Sequence, residues 1–217
     1  MTRLVIWDFN GTILADSQLC VDAGNNVIKN YGGTPLRRRQ YSEKFEFPAL
    51  EFCYRQGANR ERLTAELYRS GFYSYYASKV SRCRTRQGAR DVLTWLKRRG
   101  VSSVILSNHL VDDIAAQLER LDLAEYVERI LANDSQQAAL TGNNKIHRMR
   151  AYLDTTDIAP ADAWIVGDSP EDIGIGKSLG FRTVAVTDGY FSVSRLRASN
   201  PDHTISNLRE LKEIINV

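Results

Sequence analysis

Sulfur, long apolar runs and charge of one sign are all scarce in this chain of 217 residues, and each shortage closes off a class of function. The three cysteines, Cys20, Cys53 and Cys83, lie far apart with no CxxC pair. Neither a disulfide framework nor a zinc site is expected from that spacing, and free thiols in a reducing compartment are. No apolar run approaches the roughly 20 residues of a membrane span. The run Leu4-Val5-Ile6-Trp7 meets Asp8 too soon for a secretory leader. A cytoplasmic protein with no membrane partner is therefore expected. Lys and Arg number 29 against 26 Asp and Glu, a net charge of +3, so no nucleic-acid partner is expected either. Arginines do gather, at Arg37-Arg38-Arg39 and across Arg82, Arg84, Arg86 and Arg90. Solvated helix faces are the ordinary reading of such runs; a funnel for anionic substrates is the functional one.

With 43% hydrophobic and 25% charged residues, the chain has the composition of a folded globule, long enough for one α/β domain and a smaller module. Arg3 to Phe9 reads as a strand buried on both faces. Ser103–Leu106, Ala163–Val166 and Thr183–Val186 repeat that pattern, and Val127–Leu131 is a weaker copy. Between these runs, Ala89, Val92, Leu93 and Leu96 share a helical face. So do Ile114, Leu118 and Leu121, and Leu208, Leu211, Ile214 and Ile215. Strands alternating with helices predict an α/β fold: a doubly wound parallel sheet with right-handed crossovers. From about Ala15 to Thr85 the alternation stops. Leu19, Ala23, Val27 and Tyr31 have helical spacing, followed by Leu63, Leu67 and the aromatics Phe72, Tyr73, Tyr75 and Tyr76. This stretch predicts an all-helical insertion, with residues 1–14 and 86–217 forming the α/β core and 15–85 a helical cap. No repeat or low-complexity tract appears.

In open parallel sheets, ligands bind beyond the carboxyl ends of the strands, so the residues that end each apolar run matter. The first run ends in Asp8-Phe9-Asn10-Gly11-Thr12 and the second in Ser107-Asn108. A later one ends in Gly167-Asp168-Ser169-Pro170-Glu171-Asp172, with Lys145 in the connection before it. Each piece has an ordinary reading. Asn10-Gly11 is also a hairpin-turn signal, and Ser169-Pro170 a helix start. Ser107 could be one more polar strand end and Lys145 one more surface lysine. Gly174-Ile175-Gly176-Lys177-Ser178 ends like a phosphate-binding P-loop, but Glu171 stands where that pattern needs glycine, so a helix surface is expected there. His109, His147 and His203 lack ligand spacing. The combination of strand ends, in this order, is the specific signal.

Taken together, these segments resemble the haloacid dehalogenase superfamily. Asp8 to Thr12 resembles its DxDGT nucleophile loop. Val104-Ile105-Leu106-Ser107-Asn108 looks like its second motif, and Lys145 falls where the third-motif lysine stands, without the proline that often follows. Gly167-Asp168 through Asp172 is similar to GDxxxD. Gly180 with Thr183–Val186 fits the tail motif, with Gly176 where alanine is common. The resemblance, and a helical insertion like that of the phosphoglycolate-phosphatase-like branch, imply a Mg²⁺-dependent phosphohydrolase for a small phosphorylated metabolite. Asp8 is then the nucleophile, forming a phospho-aspartyl intermediate. Asp8, Asp168 and the Asn10 backbone carbonyl are the implied metal ligands, and Asp172 supports them from behind. Ser107, Asn108, Lys145 and the backbone at Gly11 would bind the phosphoryl group.

One residue departs from the pattern. The family's acid–base aspartate is replaced by Asn10, whose amide exchanges no proton at neutral pH. Its loss costs a phosphatase roughly 10²–10⁴ in rate. Two alternatives stay open. One is a C–P or C–halogen hydrolase, with a cap lysine such as Lys44 forming a Schiff base. The other is a non-enzymatic phosphometabolite sensor. Arg37 to Arg39 and Arg55 are candidates to meet a substrate carboxylate or second phosphate. No pattern speaks to the substrate's identity or the oligomeric state.

Overall fold

The computed structural model describes residues 1–134 and 145–216. Its sheet has six parallel strands: β1 Leu4–Trp7, β2 Ser102–Leu110, β3 Arg129–Asn133, β4 Ala163–Gly167, β5 Arg182–Val186 and β6 His203–Ile205. They lie in the order β3-β2-β1-β4-β5-β6. All of β1 is buried because helices cover both faces, and alternation divides its side chains between them. Val5 and Trp7 join the core under α5 (Ala89–Lys97), α6 (Val111–Arg120) and the residues around Leu208 and Leu211. Leu4 and Ile6 join the opposite core under α7 (Lys145–Leu153) and α8 (Pro170–Leu179). The expected doubly wound sheet is present.

Three details differ from the sequence reading. The strand expected from Val127 begins at Arg129, because Val127 closes a 3-10 turn over Ala124–Tyr126. The edge strand β6 is only three residues long, too short for periodicity to reveal. Leu67 is 44% exposed, while Leu63 is fully buried.

Between β1 and α5 the described elements are helical: α1 Ser17–Asn30, α2 Arg38–Lys44, α3 Ala49–Arg55 and α4 Ala65–Ala77, then a 3-10 turn. Tyr41, Phe45 and Phe52 anchor a core of their own, completed by Ile173, Ala185, Phe191 and Leu196 from the α/β part. Polar bonds fasten the same seam just past β5. Arg38 donates to the Asp188 carbonyl at 3.0 Å, and the Ser192 N–H to the Ser42 carbonyl at 3.2 Å. The helical insertion therefore packs at the carboxyl end of the sheet. Among the described residues, no helix is long and apolar enough to cross a membrane.

Candidate active site at the carboxyl ends of the strands

Strand order alone brings the first two site residues together. From β1 the chain builds outward through β2 and β3, then crosses back to β4 on the other side. The connections after β1 and β4 diverge, and the crevice between them is the switch point where α/β proteins bind ligands. Asp8 follows β1 and Asp168 follows β4, with the Asp8 N–H bonded to the Val166 carbonyl at 2.9 Å. Lys145, at the start of α7, reaches Asp8 Oδ1 at 2.7 Å and Asp172 Oδ1 at 2.9 Å. Oxygens of Asp8, Asp168 and Asp172 lie within 4.8 Å of one another, and all three residues are buried. Asp172 thus stands beside the other two carboxylates.

The turn and helix readings of these loops hold alongside the chemical one. Ser169 caps α8 by accepting the Asp172 N–H at 3.3 Å, and its hydroxyl donates to Asp172 Oδ2 at 2.7 Å. The helix cap therefore also orients the carboxylate. Gly11, at φ +79°, turns the chain after β1 without forming a hairpin. A Cβ on Gly11 or Gly189 would collide with the Asp168 carboxylate, and one on Gly167 with Asp172. These glycines let backbone close around charged groups. Thr12 Oγ1 at 3.3 Å and the Tyr190 N–H at 2.5 Å hold Asp168 from its two oxygens.

One ammonium faces three carboxylates. Burial raises the Asp8 pKa well above its usual range; Lys145 opposes this, and Asp172 and Asp168 add to it. Asp168 is pushed up to about 7, by burial first and against the Tyr190 N–H. Burial also disfavours the Lys145 cation, but Asp172 and Asp8 outweigh it and hold the ammonium charged. This imbalance suits one further cation.

Ser107 and Asn108 end up beside this group, bonded to other partners. Ser107 Oγ accepts the His109 N–H at 3.1 Å, and Asn108 Nδ2 donates to Glu171 at 3.1 Å. Arg148, one turn past Lys145 on α7, holds both residues in place. It donates to the Ser107 carbonyl at 2.8 Å, to Asn108 Oδ1 at 3.4 Å and to Asn133 Oδ1 at 2.7 Å.

Asn10 is held away from the lysine. Its Nδ2 donates to Asp16 Oδ2 at 2.6 Å and to the Tyr76 hydroxyl at 3.0 Å. Tyr76, from α4, donates to the same Asp16 oxygen at 2.5 Å, and the Gly11 N–H to the other at 2.8 Å. Asp16 is buried; burial raises its pKa, against the bonds from Tyr76, Asn10 and Gly11. Sequence reasoning missed Asp16, Tyr76, Arg148 and Tyr190. Asp16-Ser17 ahead of a helix reads as an N-cap, yet the Asp16 side chain makes no cap bond and holds the loop after β1 instead.

The remaining candidates fall elsewhere. Lys44 is exposed at the end of α2, without the desolvation an amine nucleophile needs. Gly174 to Ser178 lie inside α8, so the P-loop-like sequence forms no loop. Arg55 pairs with Glu46 at 3.2 Å and Arg39 with Glu43 at 2.9 Å. Arg86 and Arg90 bind backbone carbonyls of Thr187 and Asp122.

Fold and site define a class: a doubly wound α/β enzyme with a carboxylate-rich centre at its switch point. The chain belongs to the haloacid dehalogenase-like hydrolase family, whose model matches residues 5–186. It is 28% identical over 225 residues to phosphoglycolate phosphatase 1 of Pseudomonas aeruginosa, covering 97% of this chain and 79% of that protein. To phosphoglycolate phosphatase of Neisseria gonorrhoeae it is 28% identical over 220 residues, covering 97% and 92%. Among solved structures, a haloacid dehalogenase-like family protein of Streptococcus pneumoniae superposes with a TM-score of 0.81 at 19% identity, over 99% of each chain. That last likeness speaks to the fold alone.

Proposed function

We propose that this chain is a Mg²⁺-dependent phosphatase that acts on a small phosphorylated metabolite through a phospho-aspartyl intermediate on Asp8. The observation that carries the reading is the buried Lys145 ammonium 2.7 Å from Asp8 Oδ1, among three carboxylates at the switch point. Relatives named as phosphoglycolate phosphatases support the reaction class. The donor set fits a hard divalent cation, because carboxylate oxygens of Asp8 and Asp168 and the Asn10 carbonyl are oxygen ligands. Asp172 would support or join them. When bound, such an ion offsets the repulsion between a carboxylate nucleophile and a phosphate dianion.

The chain's own residues supply the rest. An Asp8 oxygen attacks phosphorus, a P–O bond to Asp8 forms, and the ester P–O bond breaks. Lys145, the Ser107 hydroxyl and backbone N–H groups near Gly11 stabilise the equatorial oxygens, with Asn108 beside them. Arg148 fixes the end of β2. The departing alkoxide takes its proton from water, because Asn10 has none to give. Water then attacks phosphorus, releasing phosphate and restoring the Asp8 carboxylate. Residues 15–85 act as the cap that closes over this edge and excludes bulk water. The nucleophile and its lysine favour chemistry over a sensor, which needs no attacking group. The test is phosphate release from p-nitrophenyl phosphate with and without Mg²⁺, in the wild type and in Asp8→Asn. Metal-dependent release lost in the variant is expected; release that survives it contradicts the reading.

A further inference from the structure

Beside the carboxylate centre, where α4 of the helical insertion faces α6 of the core, lies a cavity of about 50 Å³. Phe9, Tyr73, Tyr76, His109, Asp113 and Gln117 line it. Three of these connect it to the reaction centre. Phe9 follows Asp8 in the chain, Tyr76 bonds Asn10 and Asp16, and the His109 N–H bonds Ser107 Oγ. We propose that this cavity receives the leaving group of the phosphate ester, and that it selects leaving groups bearing hydroxyl or ammonium donors over those bearing a carboxylate. This rests on the phosphatase reading.

Size sets the first limit. With about 10–15 Å³ needed per water-sized probe, the space accepts a fragment of a few heavy atoms. Charge sets the second. Neither Lys nor Arg lines the cavity, whereas Asp113 does. His109 does not supply a cation either. Its Nδ1 accepts the Leu110 N–H at 2.7 Å, which places the ring proton on Nε2. Burial lowers its pKa, against Asp113 and Asp16. At Tyr73, burial and then Asp113 raise the hydroxyl pKa, and Arg69 opposes them less than Asp113 does. A second carboxylate on the substrate would meet a field of its own sign.

Hydrogen-bond polarity points the same way. Tyr76 gives its proton to Asp16, and the amide of Asn10 gives its hydrogens to Asp16 and Tyr76. Among the groups that line the cavity, the Asp113 carboxylate only accepts, while the Tyr73 hydroxyl, the Gln117 amide and the His109 ring can each meet a donor or an acceptor. A leaving group with its own donor complements the Asp113 carboxylate, and one bearing a carboxylate does not. A donor close to the ester oxygen also offers the departing alkoxide the hydrogen bond that Asn10 withholds.

Three esters of matched size isolate the terminal group: phosphoglycolate, 2-hydroxyethyl phosphate and 2-aminoethyl phosphate. Phosphate release with Mg²⁺ is measured for each, with p-nitrophenyl phosphate as reference. The expected result is a kcat/KM at least roughly tenfold higher for the hydroxyl or ammonium ester than for phosphoglycolate. The two donor arms distinguish a neutral from a cationic leaving group. Asp113, half-exposed and outside the reacting centre, is the variant site. Asp113→Asn is expected to narrow the gap and Asp113→Lys to reverse it. Phosphoglycolate turned over as well as the donor esters overturns the inference, and so does an order unchanged in Asp113→Lys. Turnover of p-nitrophenyl phosphate but none of the three esters overturns the cavity assignment alone. No release from any ester overturns the phosphatase reading and this inference together.

Discussion

The strand-end centre and the seam beneath α4 share the loop after β1, yet they are built differently. At the centre, Asp8, Lys145, Asp168 and Asp172 come from loops whose positions the sheet topology dictates, and charge holds them together. At the seam, Asn10, Asp16 and Tyr76 form a closed set of hydrogen bonds linking residues 66 positions apart. The first arrangement holds an excess of negative charge that suits a further cation. The second commits its donors to one another and leaves none for the departing oxygen. On the proposed phosphatase reading, attack and proton transfer are thus provided for very unequally.

Substitutions can break this contrast or sharpen it. Asp8→Asn should have the largest effect, a loss of more than roughly 10⁴-fold in kcat, the order seen when a nucleophile is removed; circular dichroism should show the fold intact.

Asn10→Asp attacks the contrast from the seam. The new carboxyl would stand where Nδ2 now lies 2.6 Å from Asp16, and two carboxyls that close share a proton. A protonated acid at neutral pH results. Esters of alkyl alcohols should gain within about 10²–10⁴-fold, and p-nitrophenyl phosphate less, because its leaving anion needs no proton. Mass spectrometry of fresh wild-type protein must accompany this assay, since Asn-Gly sequences deamidate to aspartate. Unchanged alkyl-ester rates would mean that Asn10 is not a missing acid.

Tyr76→Phe removes a donor from the buried Asp16 carboxylate. A loss of about 1–3 kcal/mol of stability is expected, readable as a lowered urea midpoint with an unchanged slope. No change would show that α4 does not depend on this bond.

The smallest effect concerns pH. Without a cation, Asp168 is pushed up to about 7, above about 3.9 in the unfolded chain. Between those values the folded state binds more protons than the unfolded one, so stability falls as pH rises through the window and then levels off. A divalent cation takes the place of those protons. Its stabilisation should therefore be larger near pH 8 than near pH 5, as a difference of a few degrees in Tm measured with and without Mg²⁺. Equal shifts at both pH values would contradict the charge account.

The same contrast explains what could be read in advance. Asp8, Ser107 and Asp168 end apolar runs, and strand ends in a parallel sheet share one edge whatever the rest of the chain does. Lys145 was identifiable from its place between the second and fourth motifs. The helices between β1 and α5 showed in the spacing of Leu19, Ala23 and Val27. Their seating did not, because it depends on Tyr41, Phe45 and Phe191 meeting across 150 residues of chain. Asp16 looked like a helix cap and Arg148 like a surface arginine, because a side chain's partner in space leaves no periodic trace. The strand β6 was too short to show alternation.

The most direct test is a rapid acid quench of wild-type protein turning over ³²P-labelled p-nitrophenyl phosphate with Mg²⁺, followed by peptide mapping. On the proposed mechanism Asp8 attacks readily when the leaving group needs no proton and Asn10 cannot activate the second water, so covalent phosphate should build up toward one per chain before slow turnover, on the peptide containing Asp8. Steady turnover from the first time point with no protein-bound phosphate, or label on a peptide without Asp8, would contradict the account.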